Sequence, residues 1–258
     1  MRIDVGGSLL DVEVSGPKNA PAILQYSSGG TNLRIWDFVL PMITTKYRSI
    51  RLDMRGSGKS TPANKPSQYS FQQFAKDTNT VLNTLGVEKC HLWSMAFGSR
   101  IGLAFCATYP EKVYSACFND LSIEKPDPES QRMGHKKAMK LQEAAGIAKF
   151  PKPSRISEHS YPDQVSLVSG ANSTGVFDLQ AAIPRLSMPV LLVTGKCDPN
   201  LVSTRAIAAA APNAKIIELE NVGHGSVLQR PDLTTEIFLE FLANQVQIQN
   251  FSQGATKE

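Results

Sequence analysis

Short apolar runs alternate along the chain with longer amphipathic windows. The short runs predict strands at 9–14, 22–25, 47–53, 89–95, 113–119, 190–194 and 214–219. Apolar residues spaced by three and four predict helices over 70–85, 97–109 and 237–248, with 251–258 as a frayed tail. Strands that alternate with helices form βαβ units, so the pattern predicts an α/β fold built on a mainly parallel sheet.

The alternation breaks at 122–187, a stretch interrupted by Pro126, Pro128, Pro151, Pro153, Pro162 and Pro184. One helical window remains in it, at 132–149. An insertion after a parallel strand lies over the crevice at the carboxyl end of the sheet, so we expect a small cap there and a core formed by 1–121 and 188–258. A long surface excursion without function is the alternative, but structureless loops of that length are uncommon.

Composition narrows the class of protein. A chain of 258 residues, 41% hydrophobic, is long enough for one large α/β domain with a full core. The net charge of +4 is interspersed, which argues against a nucleic-acid platform. No apolar run is long enough to span a bilayer and no secretory signal is visible, so we expect a cytoplasmic protein.

Cysteine and histidine usage predicts neither disulfides nor a metal centre. Cys90, Cys106 and Cys117 stand in apolar contexts typical of reduced core thiols, and Cys197 forms no CxxC pair. No cluster of His, Cys, Asp or Glu has the spacing of metal ligands, so we expect no metal and no cofactor.

A tight strand-to-helix turn is predicted around Ala96. Ser94 and Gly98 flank it two positions away, which matches the small-x-nucleophile-x-small pattern of a nucleophile elbow. The small flanks preserve the turn, but alanine leaves its centre without a reactive oxygen. The N–H of Phe97, at the start of the next helix, is a candidate oxyanion donor. An ordinary strand-to-helix turn is the alternative.

Two partners follow in chain order. Asp198 comes after the strand at 190–194, and His224 comes after the strand at 214–219. Nucleophile, acid and histidine in this order form one of the known Ser-His-Asp triads, in which the acid orients the histidine and the histidine acts as general base and then acid. Singly they are a turn aspartate and a loop histidine; their joint placement favours the triad. Asp120, after the strand at 113–119, is an alternative orienting acid.

The turn at 53–60 carries a family resemblance. It reads Asp-Met-Arg-Gly-Ser-Gly-Lys-Ser and resembles the D-x-R-G-x-G-x-S turn of α/β hydrolases; 109–113 resembles the segment after their nucleophile helix. The turn also contains Gly-Lys-Ser, but a phosphate loop needs glycine where Asp53 stands, so we reject nucleotide binding. The resemblance covers nearly the whole chain outside 122–187 and implies an α/β-hydrolase fold.

The loop at 27–37 narrows the resemblance further. It departs from the His-Gly oxyanion loop common in the fold and is similar to the N-S-L-G-T-x-L-x-x-W segment of 3-oxoadipate enol-lactonases. That likeness implies a second oxyanion N–H near Ser28 or Gly29, paired with that of Phe97. It also implies a lactone or ester as substrate.

Substrate contacts are predicted from position. The candidates are Trp36 beside this loop, Met95 before the turn, and Met133 and Met139 in the insertion, because methionine adapts to irregular apolar shapes. Packing within the core or the cap is the alternative for each. The expected partner is a small-molecule ester or lactone, with no nucleic acid and no membrane; a homodimer is left open.

Alanine at position 96 has two explanations. An engineered serine-to-alanine change would trap substrate or product, and the intact turn, acid, histidine and oxyanion loop favour it. A natural member that lost or replaced hydrolysis is the other. Three functions therefore stay open: a serine esterase or lactonase that is nearly inactive as written, a cofactor-free His-Asp enzyme for C–C or oxygen chemistry, and a non-catalytic binding protein.

Overall fold

A computed structural model describes residues 1–158 and 177–254, and it is built around an eight-stranded sheet with the strand order β1-β2-β4-β3-β5-β6-β7-β8. The strands are β1 Arg2–Asp4, β2 Leu9–Ser15, β3 Ala22–Tyr26, β4 Arg48–Leu52, β5 Cys90–Met95, β6 Val113–Asn119, β7 Val190–Gly195 and β8 Ala214–Leu219. β2 pairs antiparallel with both of its neighbours, β1 and β4. Every further pairing, from β4 through β3, β5, β6 and β7 to β8, is parallel. The predicted α/β class with a mainly parallel sheet is confirmed.

Helices cover both faces of this sheet. Their bounds are α1 Leu40–Ile43, α2 Phe71–Thr84, α3 Phe97–Thr108, α4 Pro128–Ala144, α5 Leu179–Ala182, α6 Leu201–Ala210, α7 Ser226–Gln229 and α8 Pro231–Gly254. Single 3-10 turns lie at Leu33–Trp36, Pro66–Gln68, Pro110–Lys112 and Ile183–Arg185. The residue range of each predicted helix therefore overlaps that of an observed helix.

Alternate strand residues divide the core into two layers. On β5, Leu92 packs among the side chains of α2 and α3, whereas Trp93 faces the opposite layer and stacks on Phe238 of α8, with ring centroids 4.3 Å apart. On β6, Phe118 belongs to the first layer and Cys117 to the second. A strand with both faces covered is mostly apolar, which is why apolar residues dominate the central strands, with buried polar exceptions such as His91, Ser94 and Ser115.

The element bounds differ from the predicted ones in ways that capping explains. The helix predicted at 132–149 begins at Pro128, because Asp127 accepts the N–H of Ser130 and proline suits the first helical position. It ends at Ala144, close to the left-handed Gly146. The last helix continues to Gly254, so the tail predicted from 251 is helical over its first residues.

The turn at 53–60 connects the sheet to the loop at 27–37. The Asp53 carboxylate accepts the N–H of Leu33 at 2.7 Å and that of Lys59 at 3.0 Å. Gly58 has a φ of 52°, and a Cβ there would lie 1.9 Å from the same carboxylate. Arg55 forms a buried ion pair with Asp77 of α2 at 2.6 Å. The residues that resemble the family turn thus hold this loop against the strand ends.

Helix α4 lies in backbone contact with two other loops of the same edge. A Cβ on Gly134 would stand 2.1 Å from the carbonyl oxygen of Cys197, and a Cβ on Gly223 would stand 3.0 Å from the backbone of Gly134. About two turns further on, the buried Gln142 donates through Nε2 to the carbonyl oxygen of Asn221 at 2.7 Å. The helix is therefore fixed to the loops that follow β7 and β8.

This contact gives a stability prediction for Gly134→Ala. Alanine favours a helix interior over glycine by about 1 kcal/mol, but the added methyl overlaps a backbone oxygen that no rotamer change can move. We expect a net loss of about 2 kcal/mol in the free energy of unfolding, measured by urea denaturation. Lys137→Ala, an exposed position on the same helix, is the control and should stay within about 0.5 kcal/mol. A stabilised Gly134→Ala would contradict the close approach.

Candidate active site

Four neighbouring strands deliver the candidate residues to one edge of the sheet. Ala96 follows β5, Asp120 follows β6, Asp198 follows β7 by three residues, and His224 lies in the loop after β8. β5 and β6 end in register, with Met95 opposite Asn119. Because parallel strands present their carboxyl ends at one edge, residues far apart in sequence meet there.

The turn at Ala96 has the geometry of a sharp elbow. Ala96 adopts φ 52° and ψ −114°, and its N–H donates to the carbonyl oxygen of Asn119 at 2.8 Å. A Cβ on Gly98 would lie 2.2 Å from the carbonyl oxygen of Ser27, so the flank must be small. A non-glycine residue in such a conformation costs roughly 1–3 kcal/mol and persists only where its surroundings hold it. The first N–H groups of α3 have no partner within the helix and lie at this point.

Asp198 and His224 form a hydrogen-bonded pair. The distance from His224 Nδ1 to Asp198 Oδ2 is 2.9 Å, and the Asp198 side chain is fully buried. The other carboxylate oxygen accepts the N–H of Asn200 at 2.9 Å, which fixes its plane. A carboxylate only accepts, so Nδ1 carries the proton and Nε2 keeps a free lone pair. His224 remains 20% exposed at its side chain.

Hydrogen bonds from side chains hold the backbone both before and after His224. Gln229 accepts the N–H of Gly223 at 3.1 Å and donates to the carbonyl oxygen of His224 at 2.8 Å. Asp120 Oδ2 accepts the N–H groups of Gly225 at 3.1 Å and Ser226 at 2.7 Å. Asp120 therefore contacts the backbone next to the imidazole, whereas Asp198 contacts the imidazole itself.

Burial and charge shift the pKa values of this cluster. Burial alone lowers the pKa of His224, but the hydrogen bond that its Nδ1 donates to Asp198 and the negative charges of Asp120 and Asp198 outweigh it, so the pKa is raised above 6.5. Burial raises the pKa of Asp120 to about 7. Its Oδ1 is buried without a hydrogen-bond partner among the described residues. Asp120 therefore exchanges its proton near neutral pH.

A cavity of about 380 Å³ opens between these loops. It is lined by Ser28, Gly29, Ala96, Phe97, Arg100, Asp120, Ser122, Pro126, Pro128, Gln131, Asn200 and His224. This cavity is therefore lined by five residues that were predicted for the site from sequence: Ser28, Gly29, Ala96, Phe97 and His224. Asp198 reaches it through His224.

None of the four predicted substrate contacts lines this cavity. Trp36 is fully buried against Trp93, with ring centroids 4.9 Å apart, because the 3-10 turn Leu33–Trp36 directs it into the core. Met95 is also core, as expected of a residue inside a covered strand. Met133 is 62% exposed on the outer face of α4. Met139 lines a separate cavity of about 280 Å³, and His224 also lines that cavity.

Six lining residues were not among the site residues predicted from sequence: Arg100, Ser122, Pro126, Pro128, Gln131 and Asn200. Arg100 carries a weak signal, because it is a charged residue in an otherwise apolar helix. Ser122 and Asn200 carry none, since they reach the cavity only through the tertiary fold. In the described ranges 1–158 and 177–254, no set of three or more His, Cys, Asp or Glu side chains is grouped to hold a metal ion. No helix within those ranges has the length and apolarity to cross a membrane.

The raised pKa of Asp120 predicts how stability depends on pH. The folded chain keeps a proton on Asp120 that the unfolded chain releases near 3.8, so the free energy of unfolding falls as pH rises from about 4 through 7. Asp120→Asn removes this contribution while retaining an acceptor for Ser226. In urea denaturation at pH 5.5 and pH 8, we expect the parent chain to lose about 1–2 kcal/mol more than the variant. His224 acts in the same direction in both proteins, so identical pH profiles would refute the assignment to Asp120.

Known proteins resemble this chain over most of its length. A family model described as alpha/beta hydrolase fold matches residues 21–139. A protein of Stutzerimonas stutzeri named "Putative carbamate hydrolase RutD" is 28% identical over 88% of this chain and 93% of its own length. The 3-oxoadipate enol-lactonase 1 of Acinetobacter baylyi is 22% identical over 92% of this chain and 94% of its own. The crystal structure of the enol-lactonase from Burkholderia xenovorans LB400 superposes with a TM-score of 0.76, at 22% identity, over 94% of this chain and 100% of that one. Together with the strand order, these likenesses show that the chain has the α/β-hydrolase fold.

Proposed function

We propose that this chain is a carboxylic ester or lactone hydrolase of the Ser-His-Asp type in which Ala96 occupies the serine position. The observation that carries the proposal is the 2.9 Å contact between His224 Nδ1 and Asp198 Oδ2, at a cavity that is also lined by Ala96 in an elbow conformation. By this proposal, the chain lacks one atom of the triad, the hydroxyl oxygen of the serine. The chain as written is therefore expected to bind substrate and to turn it over very slowly.

With serine at position 96, each residue has a defined task. The serine oxygen attacks the substrate carbonyl carbon while His224 Nε2 takes its proton, and the carbonyl oxygen becomes an oxyanion. His224 then returns the proton to the leaving alkoxide, which departs as an alcohol and leaves an acyl-enzyme. Water, deprotonated by the same nitrogen, attacks the acyl carbon and regenerates the serine. Asp198 holds the ring and stabilises its positive charge.

The backbone supplies stabilisation for the oxyanion. Phe97 begins α3, where the first N–H groups are unpaired within the helix, and Ser28 and Gly29 line the cavity with it. The loop of Ser28 is braced by Thr31, whose hydroxyl donates to the Ser28 carbonyl oxygen at 2.9 Å. These N–H groups are the proposed oxyanion hole.

The segment 122–187 is proposed as a cap that limits substrate size. Pro126, Pro128 and Gln131, all from its first part, line the cavity. Residues 159–176 of the segment lie outside the described residues. The proposed substrate contacts are these cavity-lining residues together with Met139, which lies beside His224 in the adjoining cavity.

The names of the relatives suggest the range of acyl compounds to test. One relative is named as an enol-lactonase and another as a carbamate hydrolase. Lactones, esters and carbamates share a carbonyl carbon that a serine oxygen can attack. We place esters and lactones first because the loop at 27–37 resembles the lactonase segment.

An active-site-directed fluorophosphonate tests the proposal directly. Such a reagent phosphonylates a serine only where a neighbouring base activates it. We expect Ala96→Ser to gain one phosphonyl group on the peptide that contains position 96, measured by mass spectrometry, and the unsubstituted chain to gain none. Ala96→Ser combined with His224→Gln is the control and should stay unlabelled. Equal labelling of the chain with and without the serine would refute the proposal.

The properties of Asp120 favour a second candidate function. This is a cofactor-free enzyme that uses the Asp120 carboxyl and the His224 imidazole to carry protons. The Asp120 carboxyl lines the same cavity as His224, its pKa is raised to about 7 by burial, and its Oδ1 has no partner among the described side chains. This function needs no serine, so it predicts no gain from Ala96→Ser. The labelling experiment and the turnover measurement therefore separate the two candidates.

A further inference from the structure

The sheet ends in one long edge strand. β8, Ala214–Leu219, has six residues, and within the described part of the chain it pairs with β7 alone. At the opposite edge, β1 has three residues, two of which are exposed. A long edge strand presents a row of unpaired N–H and C=O groups, which is a template for pairing with another strand. β8 is therefore the edge at which this sheet can be extended.

The backbone groups that β8 presents can be assigned residue by residue. The carbonyl oxygen of Leu219 accepts the N–H of Lys196, so the backbone of Leu219 faces β7. The N–H and C=O of one strand residue point to the same side, and the side alternates along the strand. Ala214, Ile216 and Glu218 therefore direct their backbone groups away from the sheet. These groups have no hydrogen-bond partner among residues 1–158 and 177–254.

The side chains of β8 leave this edge open. Successive side chains point to opposite faces of a sheet, so none lies in the hydrogen-bonding direction. On one face, Glu218 is held by a salt bridge with Arg205 of α6, at 2.7 Å. On the other face, Lys215 and Ile217 lie beside α8. The strand contains no proline and pairs with β7 without a register shift, so it lacks two of the devices by which edge strands avoid pairing.

Exposed apolar side chains flank the open edge on both faces. Ile217 is 37% exposed and borders a groove of about 250 Å³ between β8 and α8, which Ile237 and Phe241 also line. On the other face, Val202 of α6 is 75% exposed. It precedes Arg205 by three positions, which places both on one side of the helix. Exposed apolar surface beside an open strand is typical of a protein–protein interface.

The charges of the groove indicate which protein fits it. Lys215 and Glu240 line the groove, and neither forms a salt bridge with a described residue. When a two-fold axis brings one surface against its own copy, a surface with a single sign of charge repels itself. A surface with one lysine and one glutamate is complementary to its copy. The occupant that matches this edge is therefore a second copy of this chain.

A two-fold axis also determines the register of the two strands. In an antiparallel pair, two opposite residues whose backbones face each other exchange two hydrogen bonds. With the axis at Ile216, this residue pairs with its own copy, and Ala214 pairs with Glu218 of the partner subunit. This register uses all three outward-facing residues, whereas a shift by two residues leaves one of them out. The small side chain of Ala214 also leaves space for the salt bridge of the partner subunit's Glu218.

We propose that this chain forms a homodimer through β8, in which the two sheets join into one continuous sheet about a two-fold axis at Ile216. On the face that carries α8, Lys215 then lies opposite Ile217 of the partner subunit, and symmetry repeats this contact. The inference does not depend on the proposed hydrolase function, because no residue of β8 lines the candidate active-site cavity.

The mass of the unsubstituted chain in solution is the first test. In sedimentation velocity at about 100 µM protein, we expect a species with twice the mass of the chain. A chain that is monomeric at this concentration would overturn the proposal, and this result needs no variant.

Ala214→Pro tests the backbone pairing. Proline is tolerated at the first residue of an edge strand, so the variant should stay folded by circular dichroism. It removes an outward N–H at each end of the proposed ladder, and we expect the dissociation constant of the dimer to rise about tenfold or more. A folded Ala214→Pro whose dissociation constant is unchanged would contradict pairing through β8.

A charge exchange tests the register. Ile217→Lys places two lysines opposite each other at both symmetric contacts, so we expect the dissociation constant to rise by about 100-fold or more. Adding Lys215→Glu restores opposite charges across the interface and should recover most of the affinity. Leu9→Lys, at a strand position that is 39% exposed and lies outside β8, is the matched control and should leave the dimer intact.

Two further results would overturn the proposal. A dimer that persists unchanged in Ile217→Lys must form through another surface. A double variant that folds but binds no better than Ile217→Lys would exclude the register with its axis at Ile216. If Ile217→Lys fails to fold, the mass of the unsubstituted chain and the dissociation constant of Ala214→Pro decide the question.

Discussion

Ala96→Ser is expected to raise kcat/KM for an activated ester by about 10⁴-fold or more. The size of the effect follows from the cost of deleting the nucleophile of a serine hydrolase, which leaves only the acceleration from binding and oxyanion stabilisation. Here the Asp198–His224 pair and the elbow already stand at the cavity, so the hydroxyl enters a prepared site. The measurement is the initial rate of release of 4-nitrophenol from a panel of acyl esters and of ring opening for lactones.

The matched control for this gain is Ala96→Gly. Glycine adopts the φ of 52° without steric cost, so this variant should fold at least as well as the parent and should show no gain in rate. Ser94 and Ser99 do not substitute for the missing hydroxyl, because both are fully buried and hydrogen-bonded to each other at 3.1 Å. Rates of Ala96→Ser and Ala96→Gly that agree within a few-fold would refute the serine mechanism.

Asp198→Asn in the Ala96→Ser background is expected to lower kcat by about 10⁴-fold. An amide at this position no longer compels Nδ1 to carry the proton, so Nε2 loses the lone pair that accepts the serine proton. Substrate affinity should change little, since Asp198 is fully buried behind His224 and does not line the cavity. The kinetic constants for one ester, together with calorimetric binding to Asp198→Asn in the Ala96 chain, measure both quantities.

Asp120→Asn provides the comparison for this loss. Asp120 contacts the backbone of Gly225 and Ser226 rather than the imidazole, so its amide should reduce kcat by roughly tenfold or less at pH 7.5. If Asp120→Asn caused the larger loss and Asp198→Asn the smaller, Asp120 would be the orienting acid.

The sheet was predictable from sequence because its strands are covered on both faces. Every residue of β7 is buried, and its residues 190–193 form an unbroken apolar run in the sequence. β1 was missed because it is three residues long and lies at the edge of the sheet, where two of its three residues are exposed. α6 was missed because it directly follows the loop of Asp198 and its alanine-rich stretch shows little contrast between faces.

The candidate site was predictable where its signal is local. Asp198 and His224 each follow a recognisable strand, and Ala96 has small neighbours that its turn requires. Arg100 is different, because its partners are carbonyl groups 22 and 24 residues further along the chain, and no local pattern reports them. Trp36 was predicted as a substrate contact because it is close in sequence to the predicted oxyanion residues. Its ring is buried in the core instead.

The glycine contact beneath helix α4 restricts how this protein can diversify. The outer face of α4 is free to vary, because residues such as Met133 and Lys137 point into solvent. Gly134 is not free, since any side chain there would press on the Cys197 carbonyl, one residue before Asp198. A chimera that exchanged the segment 122–187 for that of another member of the fold would therefore need glycine at this point of contact. Exchange of this segment among relatives is thus limited by one close backbone contact, at Gly134. New specificities are more readily reached by point substitution at Pro126, Pro128 and Gln131, which line the cavity.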